Sequence, residues 1–151
     1  MNHPLFSLLV PSQKEEALQL ASLCEIVSSN GLSMTPEEAQ QLLQTQRQVL
    51  LDTGRVEIGC ITLQKLAASF AASPYAQPED FASLLGDLTG WFYHFKNAAP
   101  EPISDDELID WMRYAFDHRC MGQPDLLERE WDRRLGRADD DYSALPDWFD
   151  T

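Results

Sequence analysis

The strongest pattern along the chain is an apolar stripe that follows Pro78. Its members recur at positions i, i+3, i+4, i+7, i+10, i+11 and i+14, which is the spacing of one face of an α-helix. They are Phe81, Leu84, Leu85, Leu88, Trp91, Phe92 and Phe95. Such a face also suits the lining of a ligand pocket, but a stripe with helical period is more commonly core. The pattern therefore predicts a central core helix.

Shorter stripes, together with start and stop signals, predict five further helices. Three capping boxes mark helix starts, because a hydroxyl and a carboxylate three residues later satisfy free backbone amides there. These boxes are Ser12 with Glu15, Thr35 with Glu38, and Ser104 with Glu107. The predicted helices run from about 13 to 29, from Pro36 to near Gly54, from Leu63 to Phe70, from Ser104 to Gly122 and from Pro124 to Gly136.

The segment 55–61 is the ambiguous stretch of the sequence. Val56 and Ile58 fit either a short extended segment or the lead-in to a helix, and we expect it to be extended and then helical. Arg55 and Glu57 would suit a polar site, although an ion pair at a helix junction is the simpler interpretation. Since strands have little room elsewhere, the predicted fold class is all-α. We expect an irregular or orthogonal bundle of about six helices, with at most one short extended segment near 55–60.

Composition and charge narrow the classes of function. With 151 residues, of which 44% are hydrophobic, the chain can build one core. We therefore expect a single helical domain over 1–136, followed by a tail over 137–151. The net charge of −14 repels phosphate backbones and anionic membranes. No apolar run approaches the roughly 18 residues that span a membrane, so neither direct nucleic-acid binding nor membrane insertion is expected.

The three cysteines, Cys24, Cys60 and Cys120, are odd in number and widely spaced. This is not the even, patterned set of a secreted disulfide scaffold. The first ten residues also lack the basic start and the apolar length of a signal peptide. We therefore expect a cytoplasmic protein whose cysteines are buried structural residues.

Several spaced motifs resemble those of a known family. They are Gly54-Arg-Val-Glu-Ile-Gly59, Ser73-Pro-Tyr75, Phe92-Tyr-His-Phe-Lys-Asn97, Ser104-Asp-Asp-Glu-Leu-Ile109 and Phe116-Asp-His-Arg-Cys-Met-Gly122. In this order, over about residues 32–131, they resemble a family of uncharacterised bacterial proteins that is common in gut anaerobes. It is a domain of unknown function. The resemblance implies a small helical protein, with no assigned activity, cofactor or catalytic residue to transfer.

One cluster offers chemistry for a small enzyme. Asp117, His118 and Cys120 combine an acid, a base and a thiol near a helix end, and such residues also bind metals. A single short cluster without C-x-x-C or H-E-x-x-H is better explained as a helix-end cap, because protonated His118 and Arg119 are favourable at a helix C-terminus. We therefore predict no catalytic, cofactor-binding or metal-binding residue, and keep this cluster as the alternative.

Other polar groups have structural explanations. Asp105 to Glu107 sit where helix capping accounts for acidic residues, and the polar residues at the end of the central helix, 93–97, suit capping or surface packing. From Glu128 to Arg134 the charges alternate in sign, which is typical of a solvated helix face.

The acidic tail remains unexplained by local structure. Fifteen of the 25 acidic residues lie in the last 51 positions. In the tail, acids alternate with Tyr142, Leu145, Trp148 and Phe149, which suit docking to a protein partner with a basic or apolar groove. Folding of these aromatic residues onto their own domain is the other interpretation. The sequence thus favours a non-enzymatic interaction or regulatory module, with a nucleic-acid mimic as one version of it.

Overall fold

The computed structural model describes residues 13–27 and 32–136, and this part of the chain is built from six α-helices. A short 3₁₀ turn, Pro124–Leu126, precedes the last helix, and no strand occurs among the described residues. The predicted all-α class and the number of helices are confirmed. The helices are α1 (Gln13–Val27), α2 (Pro36–Thr53), α3 (Ile61–Phe70), α4 (Phe81–Ala98), α5 (Asp105–His118) and α6 (Leu127–Arg134). None of them is long and apolar enough to cross a membrane.

Helix α4 lies at the centre, as the apolar stripe predicted. It packs against α2, α3, α5 and α6, while α1 packs on α2 and α3. Phe95 carries much of the contact with the C-terminal helices: its ring stacks on Trp131 at 4.8 Å and meets Trp111 edge-on at 5.7 Å. Paired aromatic rings in these arrangements contribute beyond their buried area. The stripe on α4 therefore forms core.

Both ends of α2 and the start of α5 follow the sequence signals closely. Thr35 and Glu38 form a complete capping box, with N···O distances of 2.9 and 3.0 Å. At α5 the hydroxyl half is present, because Ser104 Oγ accepts from the Glu107 amide at 3.1 Å. Gly54 ends α2 with φ of 71°, a conformation that glycine adopts at little cost. The Ser12 box lies partly outside the described residues.

Residues 55–60 form an irregular connection without a strand, and the helix expected after them begins at Ile61. One local expectation is corrected by the structure. Helix α6 does not present a fully solvated face, because Glu130 is completely buried. Its carboxylate accepts from Arg119 Nε at 3.1 Å and from Arg133 Nη1 at 2.6 Å. The alternating charges thus include a buried ion cluster that joins α6 to the end of α5.

Candidate functional site

The structure gives Asp117 a structural role. Its carboxylate accepts from Ser73 Oγ at 2.6 Å and from Arg113 Nε at 2.6 Å. Arg113 in turn donates to the backbone carbonyls of Ser69 and Ala72 at the end of α3. Asp117 therefore ties α5 to the chain that leaves α3, and both of its oxygens already have partners.

The other two members of that cluster, Cys120 and His118, lie in different surroundings. Cys120 is buried, and burial, followed by the nearby charge of Glu130, raises its pKa to about 12. His118 is exposed, with its ring 4.9 Å from that of Tyr114. A thiol held neutral is a poor nucleophile and a poor metal ligand. Within the described ranges, no group of three or more His, Cys, Asp or Glu residues is placed to hold a metal ion.

All three cysteines are buried and unpaired, as predicted. The residues predicted to bind a partner, Tyr142, Leu145, Trp148 and Phe149, lie outside the described residues.

The connection between α2 and α3 has an inverted polarity, in that polar side chains face the protein and apolar side chains face solvent. Its polar residues face the protein: Arg55 Nη1 donates to Asn97 Oδ1 at 2.9 Å, and Glu57 Oε1 accepts from Tyr93 Oη at 2.8 Å. The apolar residues between them face solvent, with Val56 93% and Ile58 75% exposed. The predicted ion pair between Arg55 and Glu57 therefore does not hold this segment. Each of the two residues binds a different residue of α4 instead.

Two more exposed apolar side chains lie at the helix ends that flank this connection in the chain. Leu51, in the last turn of α2, is exposed, and so is Ile61, the first residue of α3. We call these four residues the apolar surface: Leu51, Val56, Ile58 and Ile61.

A polar network contributed by three helices holds Glu57 of this connection. Tyr93 of α4 is fully buried, so its assignment to surface packing or capping is wrong. Its hydroxyl is 3.5 Å from Gln46 Nε2 of α2, and burial is the main reason that its pKa rises to about 12. Thr62 of α3 donates to the same Glu57 oxygen at 3.0 Å. The network fixes Glu57, and through it the connection.

A small cavity adjoins this network. Its volume is about 240 Å³, and Glu16 of α1, Gln46, Leu50, Glu57 and Ile58 contribute to its walls. The exposed Arg47 also borders it. Glu16 is only 4% exposed. Burial, followed by the charge of Glu16, raises the pKa of Cys60.

Sequence reasoning missed Glu16, Gln46 and Tyr93 as site residues. A signal was present for Gln46, which lies four residues from both Leu42 and Leu50 and therefore on the core face of α2. Glu16 stands four residues before Leu20 and borders the stripe of α1 in the same way. Polar residues at core positions of a helix are uncommon, and they are informative when they occur.

Comparison with known proteins identifies a family. No curated protein and no solved structure matches this chain. The sequence pattern of a family of unknown function, DUF6323, matches residues 19–138, which include Gln46, Glu57 and Tyr93. The match confirms the resemblance to a domain of unknown function. The chain thus belongs to this family of unknown function, DUF6323.

Proposed function

We propose that this protein is a binding module that docks a basic protein partner on the apolar surface formed by Leu51, Val56, Ile58 and Ile61. The observation that carries this proposal is the inverted polarity of the α2–α3 connection, in which Arg55 and Glu57 are held inward while Val56 and Ile58 face solvent. A non-enzymatic interaction or regulatory role follows from such a surface.

The energetics support a partner on this surface. Burying a Val or Ile side chain stabilises a protein by about 1.5–3 kcal/mol. Val56 and Ile58 contribute little of this free energy when the chain folds alone, because both remain exposed. The segment does not turn over to bury them, because Glu57 is fixed by Tyr93 and Thr62. Local arrangements that conflict with folding stability in this way are typical of functional sites.

The charge of the chain defines the chemistry of the partner. A net charge of −14 attracts basic surfaces and accelerates their association. Two carboxylates, Glu16 and Glu57, border the cavity next to the apolar surface. A nucleic-acid mimic would engage its target through charge alone, and its affinity would fall steeply with salt. A complex that buries the apolar surface keeps most of its affinity at high salt, because apolar burial is not screened.

The test compares a double substitution with a single control substitution in the full-length protein. Substituting Val56→Ser and Ile58→Ser together removes the centre of the apolar surface, while Leu18→Ser is a matched control at an exposed apolar position on α1. We expect the free energy of unfolding of both variants to lie within about 0.5 kcal/mol of the parent's value, because the positions are exposed. Only the double variant should lose a basic protein that the parent retains from cell extract at both 0.1 and 0.5 M salt. Equal retention by the double variant and the control would refute the proposal.

We also propose a reducing compartment, and hence the cytoplasm, for this protein. Cys24, Cys60 and Cys120 support it, because all three are unpaired and buried. Fractionation of cells that express the untagged full-length chain tests this directly, and recovery in a secreted fraction would contradict it.

A further inference from the structure

We propose that a groove between the α4–α5 connection and α6 binds a small, uncharged ligand whose amide carbonyl accepts a hydrogen bond from Trp131 Nε1. The groove shares no residue with the apolar surface. The inference therefore does not rest on the proposed function.

Two parts of the chain form most of the groove, whose volume is about 260 Å³. The connection between α4 and α5 contributes Pro100 and Ile103 to one side, and both are apolar. Trp131 of α6 and Leu135, the residue after that helix, contribute to the other side. The walls thus suit the apolar part of a ligand.

Trp131 carries the polar atom that indicates a ligand. The residue is 2% exposed, and its Nε1 atom is closed to solvent and has no hydrogen-bond partner among the described residues. Its ring stacks on Phe95 at 4.8 Å and meets Trp111 edge-on at 5.4 Å, so these neighbours offer the N–H no acceptor oxygen. A buried donor without an acceptor costs free energy, and most such groups in folded proteins are paired. A ligand in the groove that brings an acceptor would remove this cost.

The charges around the groove favour an uncharged ligand. Arg134 places its guanidinium 6.0 Å from the centre of the Trp131 ring, but two exposed carboxylates, Glu101 and Glu107, also border the groove. Together with the net charge of −14, these carboxylates repel an anion. A simple ammonium ion offers only donors, so it cannot satisfy the Trp131 N–H. An amide carbonyl meets both conditions, because it accepts hydrogen bonds and carries no charge.

The size and the surroundings of the groove favour a small molecule over a protein surface. Pockets for drug-sized ligands run from about 300 to 1,000 Å³, so 260 Å³ suits one amide group on a short apolar stem. Within the described ranges, none of the exposed large apolar side chains borders the groove. A docked protein would therefore find little further apolar area to bury around it.

The end of α6 gives the ligand its access. Because Nε1 is closed to solvent in the free protein, the groove must widen before an acceptor reaches it. Arg134 is the last residue of α6, and the chain leaves the helix through Leu135 and Gly136, whose φ is +75°. Helix ends fray and open locally at low free energy. We therefore expect binding to shift this helix end and to leave the rest of the bundle in place.

The indole N–H groups report on this site directly by NMR spectroscopy. Full-length protein with isotope-labelled tryptophan gives one indole resonance for each of its four tryptophans, and loss of a resonance in Trp131→Phe assigns Trp131. We expect N,N-dimethylbutyramide at millimolar concentration to move the Trp131 proton resonance downfield, because a new hydrogen bond forms there. An unchanged Trp131 resonance would overturn the inference.

Two charged compounds of similar shape test the choice of ligand class. Butyrate keeps the acceptor oxygens but adds a negative charge, whereas n-butylamine carries donors only. We expect the amide to bind about tenfold more tightly than either compound in titrations of the same resonance, because a site built around a donor rejects ligands that do not pair with it. Equal binding of the three compounds would overturn the inference.

Trp131→Phe keeps an aromatic ring and removes the N–H group. It should weaken binding of the amide about tenfold, as measured by calorimetry. Trp91→Phe is the matched control, because Trp91 also stacks on Phe95 but does not border the groove. Undiminished amide binding by folded Trp131→Phe would contradict the inference, and the resonance of the parent protein decides the question if this variant does not fold.

The rim carboxylates provide a variant that leaves the core untouched. Substituting Glu101→Gln and Glu107→Gln together should tighten binding of butyrate and leave binding of the amide unchanged, because only the anion is repelled. Glu79→Gln, at an exposed position away from the groove, should change neither. Butyrate binding that stays as weak as in the parent would refute the selection by charge.

The chain itself is the competing occupant, because Arg134 and Leu135 are followed closely by residues 137–151. If that segment filled the groove, deletion of residues 139–151 would move the Trp131 resonance of the free protein and tighten binding of the amide. We expect neither change. Both changes together would identify the segment as the occupant and overturn the proposal of a separate ligand.

Discussion

Tyr93 donates a hydrogen bond of 2.8 Å to Oε1 of Glu57, a residue 36 positions earlier in the chain. The tyrosine belongs to the central helix and is fully buried, whereas the glutamate lies on the irregular connection between α2 and α3. This contact anchors the connection to the core. It also explains why Val56 and Ile58, on either side of Glu57, remain in solvent.

Removal of the Tyr93 hydroxyl tests this anchor. Tyr93→Phe should lower the free energy of unfolding by about 1.5–3 kcal/mol, because it removes a hydrogen bond to a charged acceptor. Urea unfolding measures this loss. Hydrogen exchange should become faster in residues 55–60, since their anchor is weakened.

Tyr75→Phe is the matched control for that change. Within the part of the chain that the structure describes, the Tyr75 hydroxyl contacts only the weak acceptor Met121 Sδ, at 3.3 Å, and the residue is partly exposed. Its loss should change stability by less than about 0.5 kcal/mol. Equal effects of the two substitutions would contradict the role assigned to Tyr93.

The buried ion cluster of Glu130 should dominate the stability of the C-terminal helix. Glu130→Gln removes the buried charge that Arg119 and Arg133 contact, and breaking a buried ion pair costs about 3–5 kcal/mol. Thermal and urea unfolding measure this loss. Glu128→Gln is the control, because among the described residues Glu128 forms only an exposed contact of 3.6 Å with His94, and such pairs contribute about 0–1 kcal/mol. A small effect at Glu130 would contradict its role.

Two glycine-to-alanine substitutions should change stability in opposite directions. A Cβ at Gly122 would lie 2.5 Å from Tyr75 Cγ, and φ there is +82°. Gly122→Ala should therefore destabilise the protein by more than about 1 kcal/mol. Gly90, within α4, has open space around its Cβ position, so Gly90→Ala should stabilise by about 0.5–1 kcal/mol. Urea midpoints of the two variants, compared with the parent, measure both effects.

Stability should fall in alkaline solution. Burial raises the pKa of Cys24 from 9.0 to about 11 and that of Cys120 from 9.0 to about 12. The unfolded chain therefore loses these protons first, and their deprotonation favours unfolding. This part of the stability is fully present below about pH 9 and is lost as the pH rises towards 12. Tyr93, whose pKa rises from 10.0 to about 12, adds to the loss above about pH 10. Urea midpoints at pH 7, 9 and 10.5 measure the decline.

Thiol reagents check the same burial independently. At pH 8 the native protein should react far more slowly than the protein in urea, because all three thiols are buried and neutral. Rapid native reaction at Cys120 would instead support the alternative enzyme site with Asp117 and His118.

The aromatic tail provides a further prediction. Deleting residues 139–151 keeps every described residue. If Trp148 and Phe149 dock to a partner, which is one of the two interpretations of the tail, the melting temperature stays unchanged and partner retention falls. A drop of several degrees would show instead that these aromatic residues pack on their own domain.

The helices of this protein could be predicted from sequence because their signals are local. Thr35 with Glu38 and the stripe from Phe81 to Phe95 each specify structure through residues within a few turns of one another. The all-α class followed from such signals alone. The segment 55–60 was the exception, since its alternating apolar residues fit a short extended segment as well as the lead-in to a helix.

The candidate site depends on contacts between distant parts of the chain. The sequence by itself determined where helices begin and end, and that the chain is strongly acidic. Only the tertiary structure brought Glu16 of α1, Gln46 of α2 and Tyr93 of α4 to one connection. It also buried Glu130 in a helix whose pattern predicts a solvated face. Periodicity tells which face of a helix turns inward, but the partner of a buried polar group is chosen by the packing of whole helices.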